Sequence, residues 1–449
     1  MTSAATTDAK CEALSAALLK GLIRQKLYDQ DENGITNIYS TSPRKSRAEK
    51  IYVDHTDLLC ELASEKEPCI ICRPAGFGLG AVCDDLYALF SGKGDFAGLK
   101  AANRQAEFSG HTVVRLDLSR IYRWNNGHLS FISKFDADTF YKEMSRYTRE
   151  ISNALGNYLK IEPESHLPPD EVFLQLCDAL KGDNNVLIVE NVDAPLFYSR
   201  YNLRTMRQVE HLLQDFFVRA LRSCRGKFKF ILLTARINFN PFWKCTLPLK
   251  DLSQDPKYAL LAGFTEDDLR KYFDPELRLT AARKFKLHPD DVSERDLSKL
   301  LSFFADEFGH YCFAPGAEQV YWPRELCNCM RTGRVKSKKS WYGAKDEDAQ
   351  LALFLGKEGR REAKTMLNID ERVTGDPAAV NPELFIDCQR LSQEPQVPPS
   401  GTVNRFTLLQ AAGCLTISPA VTHLDDPMQY CIPNNYARSR LLALTGSKK

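Results

Sequence analysis

Two stretches carry residue types that could act on a phosphate. In the first, Gly76, Gly78 and Gly80 alternate along Arg73-Pro74-Ala75-Gly76-Phe77-Gly78-Leu79-Gly80. Glycine loops of this kind turn backbone N–H groups toward an anion, and a helix N-terminus adds its dipole. In the second, Glu190-Asn191-Val192-Asp193 closes an apolar run, where a carboxylate could hold a cation or activate water. Arg236, after the apolar run 228–234, could contact a phosphate, although an arginine at a strand end is more often surface.

The first stretch lacks the groups that complete such a site. A working Walker A loop ends in Lys-Ser/Thr, the amine reaching the β/γ-phosphates and the hydroxyl holding magnesium. Leu79 and Gly80 follow Gly78 instead, so charge and hydroxyl are both missing. Gly76, Gly78 and Ala81 also match the dinucleotide pattern G-x-G-x-x-A. That site needs an acidic residue about 20 positions on, and the next strand, 111–118, ends too late to supply one.

The elements that must position these residues follow from hydrophobic spacing. Cys69-Ile70-Ile71-Cys72 predicts a buried strand, and Val82, Leu86, Leu89 and Phe90 predict a helix over 81–90. Further strands are expected at 113–118, 185–189 and 228–234, with helices at 9–27, 136–159, 169–180 and 203–222. Strands alternating with helices indicate a parallel sheet covered on both faces. Thr56 or Asp57 is the expected cap of a helix after 51–55. His55 reads as a surface residue, and Asn33-Gly34 as a turn in a polar loop. From Thr265 the pattern becomes helices between charged turns, and 371–402 reads as a linker rich in Pro, Gly and polar residues.

Composition narrows the function. The chain has 449 residues, and 60 basic against 58 acidic side chains leave a net charge of +2, so no global field recruits nucleic acid. The basic clusters at 44–50 and 334–339 read as solvated faces. No run reaches the roughly 18 apolar residues of a membrane helix, and the N-terminal segment lacks the pattern of a secretion signal. Cys69, Cys72, Cys312 and Cys414 lie in apolar runs, which suits buried free thiols in a reducing, cytoplasmic compartment. Cys69 and Cys72, three apart on a strand, point to opposite faces and are not expected to hold metal.

Several segments, in this order, resemble the predicted AAA-ATPase-like family. Tyr52-Val53-Asp54-His55-Thr56-Asp57 resembles its YVDKTD entry motif. Arg73-Pro74 with Phe77-Gly78 resembles its RPRRFGKS loop, and the segment 188–196 its LIDEYDKPL Walker B segment. Asp255-Pro256-Lys257-Tyr258 with Gly263-Phe264-Thr265-Glu266 resembles the stretch before its lid helices. His310-Tyr311-Cys312-Phe313 resembles the end of its YxGYxF segment, with His310 in place of Gly, and Val320-Tyr321-Trp322-Pro323 resembles its VYNP segment. Gly413-Cys414-Leu415-Thr416-Ile417 and Ile432-Pro433-Asn434 are similar to its GYLTI and IPN endings.

The resemblance implies an α/β fold: a P-loop NTPase-like parallel sheet with helices on both faces, then a mainly helical lid region and a small C-terminal module. The implied divisions are an N-terminal segment 1–50, the AAA-ATPase-like domain 51–264, the lid region 265–370, the linker 371–402 and the module 403–449. The vestigial nucleotide site would comprise Arg73, Gly76, Gly78, Leu79, Gly80, Glu190, Asn191, Asp193 and Arg236. In it the family's Lys-Ser has become Leu79-Gly80 and its Asp-Glu has become Glu190-Asn191. An amide accepts no proton as a carboxylate does, and Glu190 is one methylene longer than the aspartate it replaces. The PD-(D/E)xK nuclease module that often follows in the family has no counterpart in this sequence. The expectation is a degenerate, non-hydrolysing protein with no catalytic residue, no cofactor and no metal. It would work as a binding, adaptor or regulatory module on a protein partner, away from membranes. ATP with magnesium belongs to the alternative, a weak or non-hydrolysing nucleotide-binding NTPase-like sensor. A second alternative is a nucleic-acid-associated remnant of a mobile-element nuclease family.

Overall fold

The computed structural model describes residues 29–30, 36–37, 51–119, 169–180, 182–195, 222–236, 249–332, 409–423 and 429–445, with residues 213, 216, 217, 219, 364, 367 and 426. The expected helices at 9–27 and 136–159, both basic clusters and the linker lie outside them. A short antiparallel pair, Asp29–Gln30 with Thr36–Asn37, flanks Asn33-Gly34 where a loop was expected.

The central sheet has five strands: β1 (Cys69–Cys72), β2 (Thr112–Asp117), β3 (Asn185–Glu190), β4 (Phe228–Ala235) and the short β5 (Lys250–Asp251). Their spatial order is β2-β3-β4-β1-β5, and every pairing is parallel. Helices α1 (Thr56–Ala63), α2 (Leu79–Ser91), α3 (Gln105–Phe108) and α4 (Pro169–Ala179) complete this part, and residues 213, 216, 217, 219 and 222 are helical. One core lies between the sheet and α1, α2 and α3, built from residues such as Ile71, Val82, Leu86, Val113, Val186, Ile188 and Phe230. The other covers the opposite face, where Ile70, Val114, Leu187 and Leu233 meet Phe173, Leu176 and Phe217. Burial of both faces explains why these strands are almost continuously apolar. Cys69 packs into the first core and Cys72 against the second, as strand alternation requires.

The expected capping of α1 is corrected. The helix begins at Thr56, and neither Thr56 nor Asp57 caps it. Asp54 Oδ1 does that work, accepting from Thr56 N (3.1 Å) and Thr56 Oγ1 (2.6 Å).

Beyond the sheet, α5 (Glu266–Tyr272), α6 (Asp274–Phe285), α7 (Glu294–Phe308) and α8 (Pro323–Thr332) form the helical region read from residue 265 onward. Capping boxes start α5 at Thr265 with Asp268 and α7 at Ser293 with Asp296. Leu297, Leu300, Leu301, Phe304 and Phe308 give α7 one buried stripe. The strands β6 (Thr416–Ile417) and β7 (Tyr430–Cys431) pair antiparallel, and α9 (Asn435–Thr445) follows. This last segment is stitched to the helical region: Tyr311 Oη donates to Gly413 O (2.8 Å), and Asn434 Nδ2 to Gly309 O (2.7 Å). His310, which replaces a glycine of the resembled motif, has φ of 62°, the left-handed backbone that glycine adopts most easily. Among the described residues no helix is long and apolar enough to cross a membrane.

Candidate functional site

Because the strands are parallel, their carboxyl ends gather at one edge, where open α/β sheets bind ligands. The loop after β1 lies there, with Asp117 ending β2, Glu190 and Asn191 ending β3 and Arg236 following β4. Gly76 and Gly78 have φ of 92° and 105°, so the loop retains the glycine-dependent turn of a phosphate cradle.

The Gly76 end of the loop is covered. Phe77 is buried and stacks on Trp322 at 5.3 Å between ring centroids, with Tyr311 and Phe313 edge-on at 4.9 and 5.0 Å. Trp322 Nε1 donates to Ala75 O (3.1 Å), Arg324 N to Gly76 O (3.3 Å) and Gly263 N to Phe77 O (3.1 Å). A Cβ placed on Gly76 would lie 2.7 Å from Trp322 Nε1 and 2.8 Å from Arg324 Nε. Leu79, where the amine would stand, is half-buried and packs against both the aromatic group and the sheet core.

The Gly80 end is open and lined by charge. Gly80 is exposed, and a Cβ there would lie 4.0 Å from Glu190 Oε2. The other Glu190 oxygen accepts a short hydrogen bond from Arg115 Nε, and Arg115 Nη1 donates to Asp84 on α2. Burial pushes the Glu190 carboxyl above the usual carboxylate range, against the pull of Arg115. Asn191, at φ 54°, donates from Nδ2 to Asp117 Oδ1 (2.8 Å), which also accepts from Ser119 Oγ (2.7 Å). The amide is thus tied into a hydrogen-bonded corner.

The remaining predicted residues are committed elsewhere. Arg73 is buried, and its guanidinium donates to the carbonyls of Cys72 (2.8 Å), Ser253 (2.8 Å) and Tyr258 (3.0 Å) while lying 4.3 Å from the Phe313 ring centroid. Burial brings it down to about 10. Reaching a phosphate would mean surrendering three hydrogen bonds. Asp193, also buried, accepts from Arg236 N (3.2 Å), and its Oδ2 lies 3.6 Å from Arg236 Nε. The structure therefore brings Glu190, Leu79 and Gly80 to one edge, pairs Asp193 with Arg236, and turns Arg73 into a strut.

Magnesium does not fit this donor set. The loop offers no hydroxyl, one Glu190 oxygen is occupied by a guanidinium, and Asn191 is turned to Asp117. A cavity beside the loop, lined by Tyr52, His55, Phe77, Asp85 and Phe264 among others, holds about 60 Å³. Small-molecule pockets begin at roughly 300 Å³. Its polar groups serve the fold: Tyr52 Oη donates to Asp85 (2.9 Å), whose carboxyl burial pushes well up, and His55 Nε2 lies 3.0 Å from Asp268 of the α5 capping box. His55, expected at the surface, is thus half-buried and joins the entry motif to the helical region.

The fold and loop define a P-loop-type α/β domain. Residues 44–240 match the family model described as Predicted AAA-ATPase, and that span belongs to the family. A curated relative from Azotobacter chroococcum mcd 1, an uncharacterized protein in the vnfD 5' region, is 24% identical over 229 residues. The match covers 50% of this chain and 42% of that protein, less than half of the relative's length. Among solved structures, the Aeropyrum pernix ORC1 protein in complex with DNA aligns over 87% of this chain and 92% of its own, with TM-score 0.28 and 12% identity. Cdc6p from Pyrobaculum aerophilum aligns over 94% and 99%, with TM-score 0.29 and 11% identity.

Sequence reasoning missed Arg115 and Asp84. The signal was present in Val113-Val114-Arg115-Leu116, a charge inside an apolar strand. A guanidinium there needs a carboxylate, and alternation puts Arg115 on the same face as Val113, toward α2.

Proposed function

We propose that this protein is a catalytically degenerate member of the AAA-ATPase-like family that acts by binding a protein partner, as an adaptor or regulator, without turning over nucleotide. The observation that carries the reading is Asn191. It stands where a water-activating carboxylate would be needed, and its amide is fixed on Asp117. The half-buried Leu79 and the Arg115-bound Glu190 support it from the phosphate and cation sides. Losing the loop lysine removes a charge-assisted contact worth roughly 1.5–3 kcal/mol, or about a 10- to 150-fold loss of affinity.

Phosphate release with ATP and GTP in magnesium tests this. We expect none above background, and none after Leu79→Lys with Gly80→Ser, because Asn191 still supplies no base. Steady release by the unmodified chain that disappears in Glu190→Ala would overturn the reading. The sensor alternative rests on one observation: Gly80 stays exposed at the start of α2, which follows the left-handed Gly78. Calorimetry separates the two. A magnesium-dependent affinity in the low micromolar range would favour the sensor, and silence at concentrations of tens of micromolar (on the scale set by the lost contact) would favour the adaptor.

A further inference from the structure

The charged end of the loop contains a cation of its own. Arg115 lies on β2 in register with Ile188 of β3, so it is diagonal to Glu190 two residues on. Val113, Val186 and Ile188 belong to the core facing α2, and Arg115 and Glu190 continue those alternating rows toward the carboxyl edge. Asp84 meets them from α2, and its side chain and that of Arg115 are each 28% exposed, against 7% for Glu190.

Building on the degenerate-site reading, we propose that Arg115 is the resident counter-ion of this site, a guanidinium that takes the place of a divalent cation and bars one from binding. In a metal-bearing P-loop site the hydroxyl ending the loop and a strand-end acid share magnesium. Here the position of that hydroxyl, marked by Gly80, still faces Glu190 across about the span a bridging ion would fill, with its Cβ point 4.0 Å from Oε2. The acid, however, is already neutralised by Arg115 through Oε1, and Asp84 fixes the far end of the guanidinium. A dication at Glu190 would meet a fixed positive charge that cannot be deprotonated away.

The fork of the guanidinium suits this task. It engages two carboxylates at once, whereas a lysine would be a single point. Arg115 is accordingly a positioning residue: it holds Glu190 and Asp84 and takes no part in a reaction.

The test uses the full chain and Mn²⁺ alone, followed by the free-ion resonance signal. The wild type should take up no more Mn²⁺ than Glu190→Gln. Arg115→Met, which keeps the stem and removes the charge, should bind Mn²⁺ about tenfold more tightly than wild type, the scale expected from removing a nearby like charge. Adding Glu190→Gln to Arg115→Met should abolish the gain. Wild-type Mn²⁺ binding that Glu190→Gln removes would overturn the proposal, as would a folded Arg115→Met that gains none. Thermal unfolding covers the case of an unstable single variant. Mn²⁺ should raise the midpoint of Arg115→Met and leave wild type unmoved, and Arg115→Met/Glu190→Gln should refold without metal. If both variants stay unfolded with Mn²⁺, Arg115 acts through packing and the proposal fails. No nucleotide is present, so this result and the phosphate-release result can fail independently.

Discussion

The two ends of the glycine loop have gone separate ways. Around Gly76, aromatic rings, the Trp322 indole N–H and main-chain hydrogen bonds from Gly263 and Arg324 close on the backbone. Around Gly80 stand the hydrogen-bonded side chains of Asp84, Arg115 and Glu190, and the glycine is exposed. The first end is architecture and the second is chemistry. The contacts that hold the loop's shape reach as far as Leu79, which packs on the aromatic group, and stop short of Gly80, whose Cβ point nears Glu190 Oε2 instead.

Substitutions at the two ends should therefore differ in size and sign. Trp322→Ala removes the ring stacked on Phe77 and should cost about 3–5 kcal/mol in denaturant unfolding, the range for large aromatic core truncations. A loss below about 1 kcal/mol, the level of ordinary surface changes, would show that the aromatic closure does not hold the loop. Gly76→Ala should cost about 1–3 kcal/mol, through overpacking against Trp322 and Arg324 and its left-handed backbone. Gly80→Ala should instead stabilise by about 0.4–1 kcal/mol, since the position is exposed, helical and roomy. Equal effects at the two glycines would erase the distinction.

The smallest expected effect comes from pH, at the far end of α2. His111 N donates to Phe90 O (2.8 Å), and burial lowers the pKa of its ring. The folded chain therefore keeps His111 neutral, while the unfolded chain takes up a proton near pH 6.5. Stability from this group is full above that pH and declines as pH falls toward the depressed folded value. Its slope is bounded by one proton, about 1.4 kcal/mol per pH unit. Urea midpoints at several pH values below neutrality should fall less steeply in His111→Gln than in wild type. Unchanged slopes would remove His111 as the source.

The strands could be read from the sequence because burial on both faces leaves a nearly continuous apolar run, as at Cys69–Cys72 and in the Phe230-Ile231-Leu232-Leu233 stretch of β4. The departures from the resembled motifs were equally visible, since Leu79, Gly80 and Asn191 differ in residue type at matched positions. What was hidden depends on distance along the chain. Trp322 meets Ala75 across 247 residues, and no local period signals that contact. Arg115 went unread because its partners lie on other elements, Asp84 on α2 and Glu190 on the neighbouring strand. The cap of α1 was misplaced by two residues because Asp54 bonds forward to Thr56, as aspartates at turns do.

The main-chain bonds of the aromatic end also bear on how the molecule comes apart. Gly263 N and Arg324 N donate into the loop from segments on either side of α5, α6 and α7, and Phe264 and Tyr321 exchange a reciprocal pair of hydrogen bonds between those segments. A Cβ on Gly263 would lie 2.6 Å from Val320, so the point where the sheet gives way to helices has no slack for a hinge. The described sheet and helices should then melt as a single cooperative unit, with the amides of Gly263 and Arg324 exchanging with solvent only through that global opening.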